Sequence, residues 1–291
     1  MGSADVIPGV SGGTMAFILG IYTRLLNAIK SFDLVWLKAI LRLDWKVVMG
    51  EPDFALLIPL FTGIIGALMF FTRVISLPHL LHTHPEPVYA LFFGLIAGSI
   101  IVLIEHVKKM SVADYFCLLG GTVFGLIVFN LVPVETPETT WFVFISGALA
   151  ISAMILPGIS GSFILLILKK YDYIFSAVGH LDFAILVPFV LGIITGIMLF
   201  ARFLSWLLAR FYQETILVIN GLLLASLWVI WPYQERTYVE VAGKSRLIGT
   251  SPFIPHTFTG NTLVIILIAL AGLALVLVID RYAKKISVNG D

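Results

Sequence analysis

Ser3-Ala4-Asp5-Val6-Ile7-Pro8-Gly9-Val10-Ser11-Gly12-Gly13-Thr14 stands at the start of the chain, and Ser152-Ala153-Met154-Ile155-Leu156-Pro157-Gly158-Ile159-Ser160-Gly161-Ser162-Phe163 repeats its pattern in the second half. Each copy sets a Pro-Gly and a Ser-Gly inside apolar sequence. Pro8 and Pro157 cannot donate a backbone hydrogen bond and disfavour helix in the residue before them, so an incoming helix should end there. Gly9, Gly12, Gly13, Gly158 and Gly161 permit tight turns, and Ser11 and Ser160 are placed to cap an outgoing helix.

The duplication extends well past this motif. Ile18-Leu19 and Tyr22 match Ile167-Leu168 and Tyr171 in one register. Asp53-Phe54-Ala55-Leu56-Leu57-Ile58-Pro59 matches Asp182-Phe183-Ala184-Ile185-Leu186-Val187-Pro188, and the register carries Gly63 onto Gly192, Arg73 onto Arg202 and Ser76 onto Ser205. One segment later, Gly94-Leu95 and Ser99 answer Gly221-Leu222 and Ser226. The chain therefore divides into a first repeat over residues 1–132 and a second over 141–291.

The solvent follows from composition. With 59% hydrophobic and 12% charged residues and a mean hydropathy of +1.05, too few polar side chains exist to cover a water-soluble surface. Apolar runs at 54–77, 88–104, 183–208 and 262–279 are long enough to cross a bilayer of about 30 Å as helices. Runs at 115–132 and 215–231 are only slightly weaker. The fold class expected is an all-α polytopic membrane protein whose repeats each hold a re-entrant helical hairpin and about three transmembrane helices.

A net charge of +1 excludes the basic field that nucleic-acid binding needs. The lone Cys117 permits no disulfide framework and reads as a small buried apolar residue. His79, His82 and His84, between Pro78 and Pro85, read as a solvated turn without a fourth ligand, so no metal and no cofactor are expected. No basic region leads into an apolar stretch at the N-terminus, so no cleavable signal peptide is expected.

The halves differ by two inserts. Residues 34–49 carry Lys38, Arg42 and Lys46 at i, i+4, i+8 beside Trp36 and Trp45, which suits an amphipathic helix on anionic headgroups or an ordinary cytoplasmic connector. Residues 232–260 are polar and form a loop outside the membrane. If each motif turns back at Pro-Gly-x-Ser-Gly, three crossings separate the copies, which then enter from opposite faces as inverted repeats. That places 34–49, Lys108-Lys109 and the C-terminal tail inside. A topology in which the hairpin crosses fully, with Lys169-Lys170 and the 232–260 loop inside, satisfies the positive-inside rule about as well.

Duplicated, Gly/Pro-interrupted apolar segments point to a transporter's substrate site. A helix N-terminus at membrane depth offers unpaired N–H groups and a positive dipole end to an anion. Ser11, Gly12, Gly13 and Thr14 in one copy, and Ser160, Gly161 and Ser162 in the other, are the candidate phosphate-binding residues, with Pro8, Gly9, Pro157 and Gly158 shaping the backbone. Arg73 and Arg202, paired by the register inside apolar helices, are costly there and either clamp the anion or snorkel to an interface. Asp5, opposite Met154, either carries a coupled proton or neutralises Arg24 or Arg73. Arg24 is a gating candidate near the end of the first hairpin.

Ala4-Asp5-Val6-Ile7-Pro8-Gly9-Val10-Ser11-Gly12-Gly13-Thr14, followed by Leu19-Gly20-Ile21-Tyr22 and joined with Pro157-Gly158-Ile159-Ser160-Gly161, resembles the bacterial polyprenyl-phosphate transporter family (PopT type) over essentially the whole chain. The resemblance implies a non-enzymatic translocase, multi-pass in the bacterial cytoplasmic membrane with its C-terminus inside. Such a protein returns undecaprenyl phosphate, the lipid carrier of cell-wall precursors, from the outer to the inner leaflet. Partners are then a polyprenyl phosphate and anionic membrane lipids, and a homo-oligomer is compatible. Two alternatives stand beside it: a carrier or channel for a small inorganic anion, and a phosphatase acting on a lipid pyrophosphate. The latter lacks a basic active-site pattern or a His beside the motif serines.

Overall fold

Aspartate, serine and proline punctuate the apolar runs, and the helices start where they do. The computed structural model describes residues 1–2, 12–74, 80, 83–105, 107, 110–131, 133–241, 244–255 and 260–288. The first half runs α1 (Gly12–Ile18), α2 (Tyr22–Lys30), α3 (Leu34–Leu41), α4 (Trp45–Gly50), α5 (Phe54–Arg73), α6 (Pro85–Glu105) and α7 (Val112–Phe129). The second runs α8 (Thr140–Ile155), α9 (Gly161–Ile167), α10 (Tyr171–His180), α11 (Phe183–Arg210), α12 (Tyr212–Val229), strands β1 (Gln234–Val241) and β2 (Lys244–Pro252), and α13 (Gly260–Val288). Asp53 and Asp182, matched in the repeat, cap α5 and α11 by accepting from Leu56 N and Ala184 N. Ser111 and Asp114 form a capping box on α7, satisfying N–H groups that a helix leaves orphaned.

Six helices among the described residues are long and apolar enough to span a membrane: α5, α6, α7, α11, α12 and α13. They coincide with the six apolar runs, and the chain is a multi-pass, mainly helical membrane protein. Two details depart from expectation. The 34–49 segment is two helices, because Asp44 caps α4 through Val47 N and Leu43 takes a left-handed φ of 55°. The 232–260 insert contains an antiparallel hairpin in which Gln234 pairs with Pro252 and Val241 with Lys244. Its Thr237-Tyr238-Val239 run favours strand over loop. His79 and His82, like Lys108-Lys109, lie outside the described residues. Among the described residues no cluster of three His, Cys, Asp or Glu forms.

The core is built by exchange between the halves. α7 packs on α12, and α6 on α13. Gly121 abuts the Val218 carbonyl, Gly221 the Leu118 carbonyl, and Gly125 the Ala225 side chain. Gln213 Nε2 donates to Asp114 Oδ2 at 2.8 Å, joining the two N-terminal ends. From Asp114–Gln213 at one end to Gly125–Ala225 further along, contact positions rise together on α7 and α12, which run parallel. In the other pair Gly94 abuts the Ala269 carbonyl, Gly272 the Leu91 carbonyl, and Gly98 meets Leu273 and Val276. α6 and α13 run parallel too. Each contact of one pair has its counterpart in the other: Gly94 with Gly221, Leu118 with Ala269, Val218 with Leu91.

Between lipid-bathed helices no hydrophobic force remains, so close backbone approach at small residues supplies the attraction. Ser99 and Ser226, matched in the repeat and buried, return their hydroxyls to their own helices, on Leu95 O and Leu223 O.

A third close pair frames the second motif. Gly147 lies against Phe189 and Ile193, Gly192 against Phe144, and Gly196 against Ala148 and Ile151, so α8 and α11 are also parallel. Gly2 meets Ile64 and Ala67 on α5, at the position that the repeat assigns to Ile151 against Gly196.

Replacing Gly94 or Gly221 by Leu should destabilise the protein by about 1–3 kcal/mol through overpacking against backbone. Gly63→Leu, which meets nothing within 4 Å, should change stability by less than about 0.5 kcal/mol. Thermal unfolding in detergent measures the difference.

Candidate functional site

In the second motif, the break comes where proline demands it. α8 ends at Ile155, and Leu156 turns to φ −66°, ψ 127°, the extended geometry favoured before a proline. Gly158 then adopts φ +94°, which a side chain would strain. α9 starts at Gly161, so close to α8 that a Cβ there would lie 2.6 Å from the Ala150 carbonyl oxygen. Val134 N–H donates to Ile167 O at 2.9 Å, and Thr136 Oγ1 donates to Leu168 O. The end of α9 thus lies beside the segment that leads into α8.

The first motif meets this turn in the core. Gly158 N–H donates to Thr14 Oγ1 at 2.8 Å, across 144 residues of sequence. Tyr22 Oη donates to Ile155 O at 2.9 Å, a carbonyl at the end of α8, where intrahelical donors run out. Ala16, Tyr22, Leu26, Ile155, Ala201, Leu204, Leu208 and Ile216 close one buried cluster around the junction. Polar backbone freed by Pro157 and Gly158 is therefore satisfied by the other half of the chain.

The site residues expected from sequence divide sharply. Gly12, Gly13 and Thr14 are buried at the start of α1, while Asp5, Pro8, Gly9 and Ser11 lie outside the described residues. Ser160 does not cap α9 with its side chain. Its hydroxyl meets that of Ser162 at 2.8 Å instead. α1 and α9 are seven residues each, so their macrodipoles are small, and what the motif offers an anion is chiefly local N–H and hydroxyl groups.

Arg202 is partly buried and turns back on its own helix, Nη1 to Met198 O at 3.4 Å. Arg73 ends α5, and its side chain lies outside the description. Arg24 is engaged elsewhere: its guanidinium meets Asp53 at 2.6 Å, with side chains 57% and 31% exposed. That hydrogen bond holds the Asp53 carboxyl below the usual range. Arg24 thus ties α2 to the cap of α5.

Two residues escaped the sequence reading. Lys170 is 1% exposed, donating to Thr136 O at 2.8 Å and lying 5.4 Å from the Tyr173 ring centre and 5.9 Å from that of Phe142. It holds the base of the second hairpin through one carbonyl and two aromatic faces. Asn220 is fully buried in α12. The signal was in the register, where Lys170 answers Ile21 and Asn220 answers Phe93, each a polar group opposite an apolar one.

Thr14→Val leaves the buried Gly158 N–H without its acceptor and should cost about 1–3 kcal/mol, with Thr14→Ser largely restoring it; thermal unfolding in detergent reads both. For Asp53, whose folded pKa is depressed, the stabilisation is complete above its unfolded value of about 3.9 and lost as pH falls through the folded value. The fall in melting temperature that this carboxyl contributes on acidification below about pH 4 should therefore be smaller in Arg24→Gln, where only the Leu56 N–H bond still favours the carboxylate.

Residues 1–248 match the family described as undecaprenyl phosphate translocase-like. A polyprenyl-phosphate transporter of Vibrio cholerae is 38% identical over 98% of this chain and 94% of its own length. A polyprenyl-phosphate transporter of Staphylococcus aureus is 30% identical over 80% of this chain and 83% of its own length. No solved structure matches the chain. With a motif pair joined in its core and relatives aligned along nearly its whole length, this protein belongs to the undecaprenyl phosphate translocase-like family.

Proposed function

We propose that this protein carries a polyprenyl phosphate, undecaprenyl phosphate in a bacterial cytoplasmic membrane, from the outer to the inner leaflet, as a transporter and not an enzyme. The observation that carries the reading is the bond between Gly158 N–H and Thr14 Oγ1, which joins the break in the second motif to the end of the first motif inside the protein. A phosphate headgroup cannot cross hydrocarbon bare, because a charged group there costs several kcal/mol or more. Its isoprenoid tail needs no such shelter and stays in lipid. A site with hydroxyls and irregular backbone, covered by protein at membrane depth, suits that division.

The parallel packing of α7 with α12 and of α6 with α13 supports inverted repeats. Consecutive spans α6 and α7 run oppositely, so α12, parallel to α7, opposes α6, its own counterpart in the repeat. The parallel course of α8 and α11 supports re-entrance, since a fully crossing α8 would leave α11 to start from the other face. Under this arrangement 34–50 and the C-terminus lie on the cytoplasmic side, with Lys38, Arg42 and Lys46 exposed toward anionic headgroups.

In the proposed mechanism, Ser11 to Thr14 and Ser160 to Ser162 line the headgroup site. Arg73 and Arg202 close on the phosphate as it enters; among the described residues Arg202 is held by a 3.4 Å bond to its own helix and is readily recruited. Asp5 takes up the coupled proton. The motifs part toward one leaflet and then the other, breaking and remaking the Thr14–Gly158 contact.

Reconstitution into liposomes with undecaprenyl phosphate tests the reading. Leaflet exchange should appear with the wild-type chain and fall at least about tenfold with Arg73→Gln/Arg202→Gln, the loss of one charge-assisted contact. Exchange untouched by the double substitution would remove the arginines from the site. Flux of inorganic phosphate without any lipid exchange would replace the reading with that of a small-anion carrier.

A further inference from the structure

Asn220 sits in the middle of α12 with 0% of its surface exposed. Neither Nδ2 nor Oδ1 finds a hydrogen-bond partner among the described residues. Its helical neighbours Ile216, Leu217 and Leu223 are 3%, 0% and 0% exposed, so this is a packed position. Burying an amide with donor and acceptor both unsatisfied is costly, and a leucine of similar size would avoid the cost entirely. An unpaired polar side chain within a membrane span is a functional signal by default.

The direction in which it faces follows from helical spacing. Asn220 is four residues past Ile216 and three before Leu223, so the three share one stripe of α12. Ile216 belongs to the cluster formed with Ala16, Tyr22 and Ile155. At the other end, a Cβ on Gly158 would meet Leu222 O at 3.3 Å and Leu223 Cδ2 at 3.6 Å. The stripe therefore runs beneath the junction of the two motifs, with the amide between its ends. In the repeat register the first half has Phe93 here, its ring 5.3 Å from that of Trp231. The amide belongs to one half alone.

We infer that the Asn220 carboxamide is a contact for a phosphate monoester headgroup, sealed under the Thr14–Gly158 junction in this conformation and uncovered when that junction parts. The inference rests on the proposed transport of a polyprenyl phosphate and names a residue of that same site. Two amide N–H groups suit phosphate oxygens. The carbonyl suits the P–OH of the monoprotonated form, which is about a tenth of the phosphate at pH 7 with a second pKa of about 6 and dominates below that. A neutral amide binds without fixing a charge in the core when the headgroup has left.

The test uses the full chain in liposomes with undecaprenyl phosphate, comparing wild type, Asn220→Leu and Asn220→Gln for leaflet exchange and for melting temperature in detergent. Asn220→Leu should keep or raise the melting temperature while exchange falls about tenfold, and Asn220→Gln should fall less, since it retains the amide. Asn220→Leu with unchanged exchange overturns the inference and leaves the transport reading intact. A lowered melting temperature with exchange per folded molecule unchanged also overturns it, because the amide then serves packing. A wild-type chain that moves no undecaprenyl phosphate overturns the transport reading and this contact with it.

Discussion

In a bilayer every backbone N–H and C=O must find its partner inside the protein, and a helix broken by Pro-Gly leaves several that cannot be met locally. The rest of this structure follows from how that debt is met. Pro157 removes a donor, Gly158 turns the chain with φ +94°, and the groups exposed by the break are bonded from the first half, Gly158 N–H by Thr14 and Ile155 O by Tyr22. The second half does not hold this break alone. The break at Pro157-Gly158 is thus what ties the second motif to the first half.

Bringing the two motifs into one place requires the spans around them to interleave. The glycines at 94, 121, 221 and 272 allow that, each meeting a backbone carbonyl of the other half. The contacts recur in matched positions, α7 with α12 and α6 with α13, as a two-fold relation between the halves demands. Departures from the relation are chemical: Thr14 stands opposite Phe163, Lys170 opposite Ile21, Asn220 opposite Phe93. On this account the second hairpin is held at its base by Lys170 and the 134–136 segment, and the first half supplies Thr14 and Tyr22 to its tip.

Much of this was legible beforehand, for identifiable reasons. Six spans were readable because long apolar runs have one stable form in lipid. The break at Pro157 was readable because proline's effect is local. The 34–49 segment misled because its i, i+4, i+8 basic stripe continues through Asp44, whose preference for capping ends one helix and starts another. The β hairpin was hidden by polarity, since charged residues outnumbered the short Thr237-Tyr238-Val239 signal. Ser160 looked like a cap, but Ser162 claimed its hydroxyl. The Arg24 pairing was missed because Asp53, at the matched cap of α5, lies 29 residues away in sequence. The pairing of Gly121 with α12 and Gly272 with α6 was out of reach, since it joins residues about a hundred or more positions apart that no local pattern links.

The central claim is that the halves are opposed in the membrane, with the second hairpin returning to the face it left. Sided labelling tests it most directly. In a Cys117→Ala chain, single cysteines at Met110, between α6 and α7, and at Ser251, in the insert between α12 and α13, are exposed in intact cells to a thiol reagent that cannot cross membranes. Opposed halves with a re-entrant hairpin predict that Ser251→Cys is labelled from outside and Met110→Cys only after permeabilisation. Labelling of both from the same face would contradict the account.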